Sequence, residues 1–131
     1  MSVSTDPRRA LGALGERLAA EHLARAGYVV LARNYRTRFG EIDIIAADSR
    51  CLVFCEVKTR VAGLPRSGPS DPLDAIGPRK RRQLRAMARE WLAAEDTRDR
   101  PHRPELRFDA IGIVVTSRGV LASLDHLMNA F

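Results

Sequence analysis

Hydrophobic and polar positions along the chain follow two rhythms, and their order predicts the architecture. Leu11, Leu14, Leu18 and His22 fall on one stripe at helical spacing, with Gly12, Gly15 and Ala19 forming a small-residue flank where another element can approach closely. Asp6-Pro7 reads as an N-cap with a first-turn proline, and Gly27 as the stop, so a helix lies between them. The period then changes to that of strands. Tyr28 to Leu31 and Ile42 to Ala46 are short β-branched-rich runs joined by the basic connection 33–40, and Leu52 to Lys58 is a third. Ala47-Asp48-Ser49-Arg50 reads as the turn of a hairpin between the second and third runs. From Val61 to Pro78, four prolines and three glycines predict a long mobile loop inside the domain. A second helix begins near Pro78 with Leu84, Met87, Trp91 and Leu92 facing inward. A polar loop leads into a long apolar strand over Leu106 to Val115, and Val120 to Leu124 forms the last. The expected fold is α/β, a mixed central sheet flanked by helices in the order α-β-β-β-α-β-β.

Length and charge narrow the class. With 131 residues, 45% of them hydrophobic and 29% charged, the chain fits one globular domain with a real core. The net charge of +6 and pI near 10.3 predict a polyanion partner, nucleic acid ahead of anionic membrane. No apolar run approaches the roughly 20 residues of a membrane span, and Met1 to Arg9 lacks a signal-peptide core, which predicts a cytoplasmic location. Cys51 and Cys55, four apart in a strand, lie roughly 13 Å from each other and cannot form a disulfide. CxxC, Walker and GxSxG motifs are absent, which removes the common zinc, NTPase and serine-hydrolase chemistries.

Candidate chemistry comes from charge placed where charge is expensive. Asp43 lies between Ile42 and Ile44, Glu56 between Cys55 and Val57, and Asp109 between Phe108 and Ala110. A carboxylate in an apolar strand needs a partner or takes up a proton. A hairpin loop of two or four residues would set position 43 opposite 54 and make Asp43 the diagonal neighbour of Glu56, with Glu41 directly opposite Glu56. Both carboxylates could then bend onto one divalent ion, with Lys58 on the same face. The chain uses arginine 20 times and lysine twice, so Lys58 is a pointed choice. Unlike arginine, lysine is a compact charge whose pKa can be lowered, letting it orient or deprotonate water.

These residues resemble a family. Glu16 in the first helix, Asp43, then Glu56-Val57-Lys58 is similar to the PD-(D/E)xK constellation of restriction-endonuclease-like nucleases, including archaeal Holliday-junction resolvases. Arg33-Asn34-Tyr35-Arg36, Gly40-Glu41-Ile42-Asp43, Val53 to Arg60, Arg107-Phe108-Asp109 and Asn129-Ala130-Phe131 resemble, across almost the whole chain, the uncharacterised bacterial YraN family. The resemblance implies a three-layer restriction-endonuclease-like fold and phosphodiester hydrolysis assisted by Mg²⁺ or Mn²⁺. Asp43 and Glu56 would hold the ion, Lys58 would position water or stabilise developing charge, and Glu16 would complete the shell; Glu41 is a further ligand candidate.

Each reading has a competitor. Asp43, Glu56 and Lys58 could be a structural salt-bridge cluster, and Glu16 a solvated helix residue. Asp109 could serve the site, cap a neighbouring backbone, or pair with Arg107. His22 reads as a core-edge histidine, and His102 and His126 show no ligand spacing. Arg79-Lys80-Arg81-Arg82 crowd a helix start, where positive charge opposes the dipole, so phosphate binding explains them better than folding does. Arg33, Tyr35, Arg36, Arg38 and Arg60 flank the acidic centre and suit single-stranded or branched substrates. The expected function is a metal-dependent nuclease acting on DNA more than RNA; the alternative is a nuclease-derived module that binds nucleic acid without cutting. A homodimer is compatible with both.

Overall fold

A computed structural model describes residues 6–63, 77–94 and 105–131. Helix α1 spans Pro7–Arg25 and starts as its sequence requires: Arg8 N donates to Asp6 Oδ1 at 3.0 Å, with Pro7 in the first turn. Gly27, at φ +96, ends it. Gly27 N donates to Ala24 O and Tyr28 N to Leu23 O, the paired bonds by which a left-handed residue closes a helix. The strands are β1 (Val29–Thr37), β2 (Gly40–Ala47), β3 (Cys51–Val61), β4 (Glu105–Val115) and β5 (Leu121–Leu127), with α2 (Pro78–Ala94) between β3 and β4. They form one mixed sheet in the order β1-β2-β3-β4-β5, in which β3 and β4 are parallel and the other neighbours antiparallel. This is the expected α/β fold in the expected order. The predicted mobile loop falls mainly on residues 64–76, outside the described residues, as does most of the polar loop before β4.

Helices cover both faces. On one, Ala19 and Leu23 of α1 pack with Ile44, Ala46, Val53, Cys55, Ile111 and Ile113. On the other, Leu84, Met87, Ala88 and Trp91 of α2 pack with Ile42, Ile45, Ala47, Leu52, Phe54 and Ala110. The centre of the α1 contact is the small flank rather than the leucine stripe: Gly15, Ala19 and Leu23 are buried, while Leu11, Leu14 and Leu18 are only partly so. Cys51 and Cys55 are buried free thiols, and burial pushes both pKa values up. Among the described residues no helix is long and apolar enough to cross a membrane.

Two boundaries differ from the sequence expectation for physical reasons. The basic connection 33–40 is mostly strand: β1 runs to Thr37, and only Arg38 and Phe39 turn, with Phe39 N donating to Thr37 Oγ1. An edge strand can carry arginines toward water without losing its ladder, so β-propensity understates it. Similarly β5 continues to Leu127 instead of Leu124, because His126 is tied inward. Its Nε2 lies 2.7 Å from Asp109 Oδ2 and its Nδ1 lies 3.0 Å from His22 Nε2. Asp109, fully buried, also accepts from Arg107 Nη2 at 2.8 Å, Arg107 Nε at 2.9 Å and Asn129 N at 2.9 Å. Burial drives its carboxyl upward, but the bonds from His126, Arg107 and Asn129 outweigh that and hold it below the ordinary value. Of the three roles open to Asp109 in the sequence, pairing and capping are the ones realised.

Candidate functional site

The hairpin between β2 and β3 closes on an Asx turn, Asp48 Oδ1 accepting from Arg50 N at 2.8 Å and Cys51 N at 2.7 Å. Its register is Ile44↔Cys55, Ile45↔Phe54, Ala46↔Val53 and Ala47↔Leu52. The expected pairing of 43 with 54 is therefore wrong by two residues, because the turn falls one residue later than expected, on residues 48–51 instead of 47–50. Glu41 is not opposite Glu56 either; its ladder partner is Arg36 on β1.

A second difference is more consequential. Pairing between β2 and β3 stops at Ile44↔Cys55, although β2 continues back to Gly40 and β3 onward to Val61. Where the next ladder bond would fall, Val57 N instead donates to the Asp43 side chain, Oδ2, at 2.8 Å. Face alternation breaks at the same place: Ile42 and Ile45, three apart, both pack under α2, while Ile44 packs under α1. Asp43 thus occupies a notch where the two strands cease to pair. Glu56 and Lys58 alternate with Phe54 toward α2, whereas Thr59 meets α1 at Gly15. The expected single face for Asp43, Glu56 and Lys58 is replaced by a gap that is reached from both sides of the sheet.

From the α1 side, Glu16 follows Gly15, where a Cβ would lie 1.7 Å from Thr59 Oγ1; only glycine lets the helix lie this close to β3. Carboxylate oxygens of Glu16, Glu41 and Asp43 come within 4.8 Å of one another, a group able to hold a metal ion. Positive charge only partly compensates this group, Arg36 against Glu41 and Arg33 near Glu16. Burial, then the negative charge of Glu56, pushes the Asp43 carboxyl up to about 7, with Glu16 and Glu41 adding to the rise and the Val57 bond opposing it. Burial also raises Glu16, against a hydrogen bond from the Asn34 side chain. Asn34 sits on β1 at φ +52, a left-handed conformation that asparagine tolerates, and no residue pattern around it in the sequence assigns it a part in the site.

From the α2 side, Glu56 is 4% exposed and its Oε1 lies 3.4 Å from both Lys58 Nζ and Lys80 Nζ. Gln83, one helical turn beyond Lys80, donates to Phe39 O, and Gly40 leaves it room: a Cβ there would lie 2.6 Å from Gln83 Nε2. This contact seats α2 against the turn that carries Glu41, and it too was not foreseen.

The basic residues expected to bind nucleic acid divide. Arg33, Arg36 and Arg38 are exposed on or beside β1, with Arg36 Nε 3.4 Å from Glu41 Oε2 and Arg38 stacked over Phe39. Tyr35 turns partly into the α2-side core, which removes most of its ring from solvent. Arg60 is half-buried. Arg79, Arg81 and Arg82 are exposed, but Lys80 is half-buried on Glu56. Lys80 is thus set apart from its three exposed neighbours, since helical geometry separates neighbouring side chains by about 100°.

Fold and site together define a class, α/β proteins with a mixed five-stranded sheet between two helices and an acidic group at an interruption in the sheet. Its family follows from comparison. The model of "Uncharacterised protein family UPF0102" matches residues 15–113, and the chain belongs to that family. Similar proteins, each described as a UPF0102 protein, occur in Streptomyces griseus (47% identical, covering 86% of this chain and 88% of that protein). Others occur in Mycolicibacterium smegmatis (46%; 88% of each) and Rhodococcus opacus (43%; 93% and 96%). The YraN-like motifs in the sequence pointed to this same family.

Proposed function

We propose that this protein is a metal-dependent nuclease that hydrolyses phosphodiester bonds in DNA. The observation that carries the reading is the convergence of Glu16, Glu41 and Asp43 within 4.8 Å at the notch, beside Glu56 and Lys58. A carboxyl held near pH 7 by burial and by other carboxylates marks negative charge in excess of its compensation. Hard oxygen donors in that state fit Mg²⁺ or Mn²⁺ better than softer metals. Such an ion, when bound, neutralises charge on the scissile phosphate and lowers the pKa of water.

The chain's own groups supply the rest. Glu16, Glu41 and Asp43 would hold the ion, joined by Glu56 from the α2 side, and the Val57 N–H fixes the orientation of Asp43. Lys58, whose side chain is 43% exposed, can reach both Glu56 and a substrate at the notch, where its ammonium orients the attacking water or stabilises the developing negative charge. Arg33, Arg36 and Arg38 on one flank and Arg79, Arg81 and Arg82 on another supply phosphate contacts, in keeping with the net charge of +6. The PD-(D/E)xK likeness favours DNA over RNA and a branched or single-stranded form.

The test incubates purified protein with single-stranded, duplex, flap and four-way-junction DNA in Mg²⁺ or Mn²⁺. Wild type should cut at least one substrate, and Asp43→Ala and Lys58→Ala should cut none. Equal cutting by all three would expose a contaminant. Ion-dependent binding without cutting by wild type would replace the nuclease by a binding module.

A further inference from the structure

The chain holds 20 arginines and two lysines, and both lysines end on the same oxygen atom. Lys58 comes from β3 and Lys80 from the first turn of α2, and each Nζ lies 3.4 Å from Glu56 Oε1. Where positive charge alone is needed, this sequence uses arginine, including the three exposed neighbours of Lys80. The lysine at 80 coincides with a change of direction: it shares the inward stripe of Gln83, Leu84 and Met87 instead of facing water. A planar guanidinium tends to lock onto a carboxylate through two parallel bonds. An ammonium on a flexible stem makes single bonds and can leave.

We propose that Lys80 is an ion-gated substrate contact: it neutralises Glu56 while no ion is bound and moves to a phosphate oxygen of the nucleic acid when a divalent cation takes the carboxylate. The inference rests on the metal-dependent reading above. Glu56 carries one negative charge and already has two cations against it, so a divalent ion at the same carboxylate repels both ammonium groups. Negative charge sufficient for the ion is supplied by Glu16, Glu41 and Asp43. Lys80, 31% exposed, has solvent on one side into which its head can swing without unpacking its stem. An incoming phosphate would meet it near the start of α2, where the helix dipole favours an anion. Arg79, Arg81 and Arg82 then grip neighbouring phosphates regardless of the ion.

The deciding experiment titrates Mn²⁺ by calorimetry into EDTA-stripped wild type, Lys80→Gln, Lys80→Met, Lys80→Arg and Arg81→Gln. It then measures binding of a fluorescent single-stranded oligonucleotide in Ca²⁺ and in EDTA. Removing the competing cation should tighten Mn²⁺ binding of the Gln and Met variants roughly three- to ten-fold, with Arg81→Gln near wild type and Lys80→Arg, whose guanidinium stays on Glu56, binding more weakly than wild type. In Ca²⁺ the same two variants should lose about five-fold or more in DNA affinity and in EDTA almost nothing, whereas Arg81→Gln should lose equally in both. Unchanged or weaker Mn²⁺ binding by both Lys80→Gln and Lys80→Met, or a DNA defect indifferent to the ion, overturns the proposal. Lys80→Met keeps the packed stem, and agreement between it and Lys80→Gln separates charge from folding. A wild type that binds Mn²⁺ and DNA but cuts nothing sinks the nuclease reading alone; one that binds no ion sinks both.

Discussion

Replacing Gly15 by alanine puts two opposing effects into one methyl group. Alanine in a helix interior is favoured over glycine by about 1 kcal/mol. Against that, the new Cβ would lie 1.7 Å from Thr59 Oγ1, 2.8 Å from its Cβ and 2.9 Å from its Cγ2. Rotation about χ1 can move Oγ1 and Cγ2 but not the threonine Cβ, so backbone must shift by roughly 1 Å to reach ordinary carbon contact. Ala19 and Leu23, both fully buried on the same helix face, would be drawn off β3 with it. Overpacking of this kind costs about 1–3 kcal/mol and sometimes more, and a shift shared by the whole helix belongs at the upper end. The net expectation is destabilisation by about 1–3 kcal/mol, a fall in melting temperature on the order of 3–10 °C. Gly12 is the control within the same helix: nothing lies within 4 Å of its added Cβ, so Gly12→Ala should raise the melting temperature by a few degrees. Thermal unfolding followed by circular dichroism separates the two signs. Adding Thr59→Gly to Gly15→Ala should cost less than the sum of the single changes, because the clash is removed with the side chain. If Gly15→Ala melts at or above wild type, the close approach that brings Glu16 to the notch is not real.

Asp43 makes stability depend on pH in a defined direction. In EDTA the folded carboxyl keeps its proton up to about 7 while the unfolded one releases it near 3.8, so the folded state binds more protons and stability falls as pH rises across that window. The ceiling is about 4 kcal/mol, and Asp43→Asn should flatten this limb in denaturant titrations at pH 5 and 8; a variant that tracks wild type at both refutes the cause. Asp109→Ala leaves the Arg107 guanidinium and the Asn129 N–H without their acceptor, and should cost roughly 3–5 kcal/mol by urea unfolding. A loss below about 1 kcal/mol would show that other groups hold the C-terminal residues to β4.

What the sequence made legible and what it concealed follow from the range of each interaction. Helix α1 was readable to the residue, because Asp6-Pro7 and Gly27 act on backbone groups within a few positions. The strands over 42–46 and 52–58 were readable because burial on both faces leaves them apolar apart from Asp43, Glu56 and Lys58. Strand β1 was not, since its outward face is paid for in solvated arginines and its pairing depends on β2, not on its own composition. Asp109 carried an ambiguity of the same kind. Acidic charge in an apolar strand announces that a partner exists, and Arg107 is near enough to be named, but His126 and Asn129 lie 17 and 20 positions away in sequence and nothing local names them.

The notch shows the limit most clearly. Asp43, Glu56 and Lys58 stood out by chemistry, yet the register argument that joined them assumed a ladder unbroken through position 43. The structure spends that ladder: the Val57 N–H goes to a side-chain carboxylate, and the pairing ends. A continuous hairpin would have kept α1 and α2 on opposite sides of a closed sheet, with Glu16 unable to sense Glu56. Interrupting it lets both faces contribute, which is why the charges of Glu56 and Glu16 both act on Asp43. Lysine, at 58 and again at 80, stands where arginine is otherwise the rule, and both meet the buried Glu56 on its α2 side at 3.4 Å from one oxygen. Such single-point contacts are what the exchange proposed for Lys80 requires, and an ammonium is the cation suited to them.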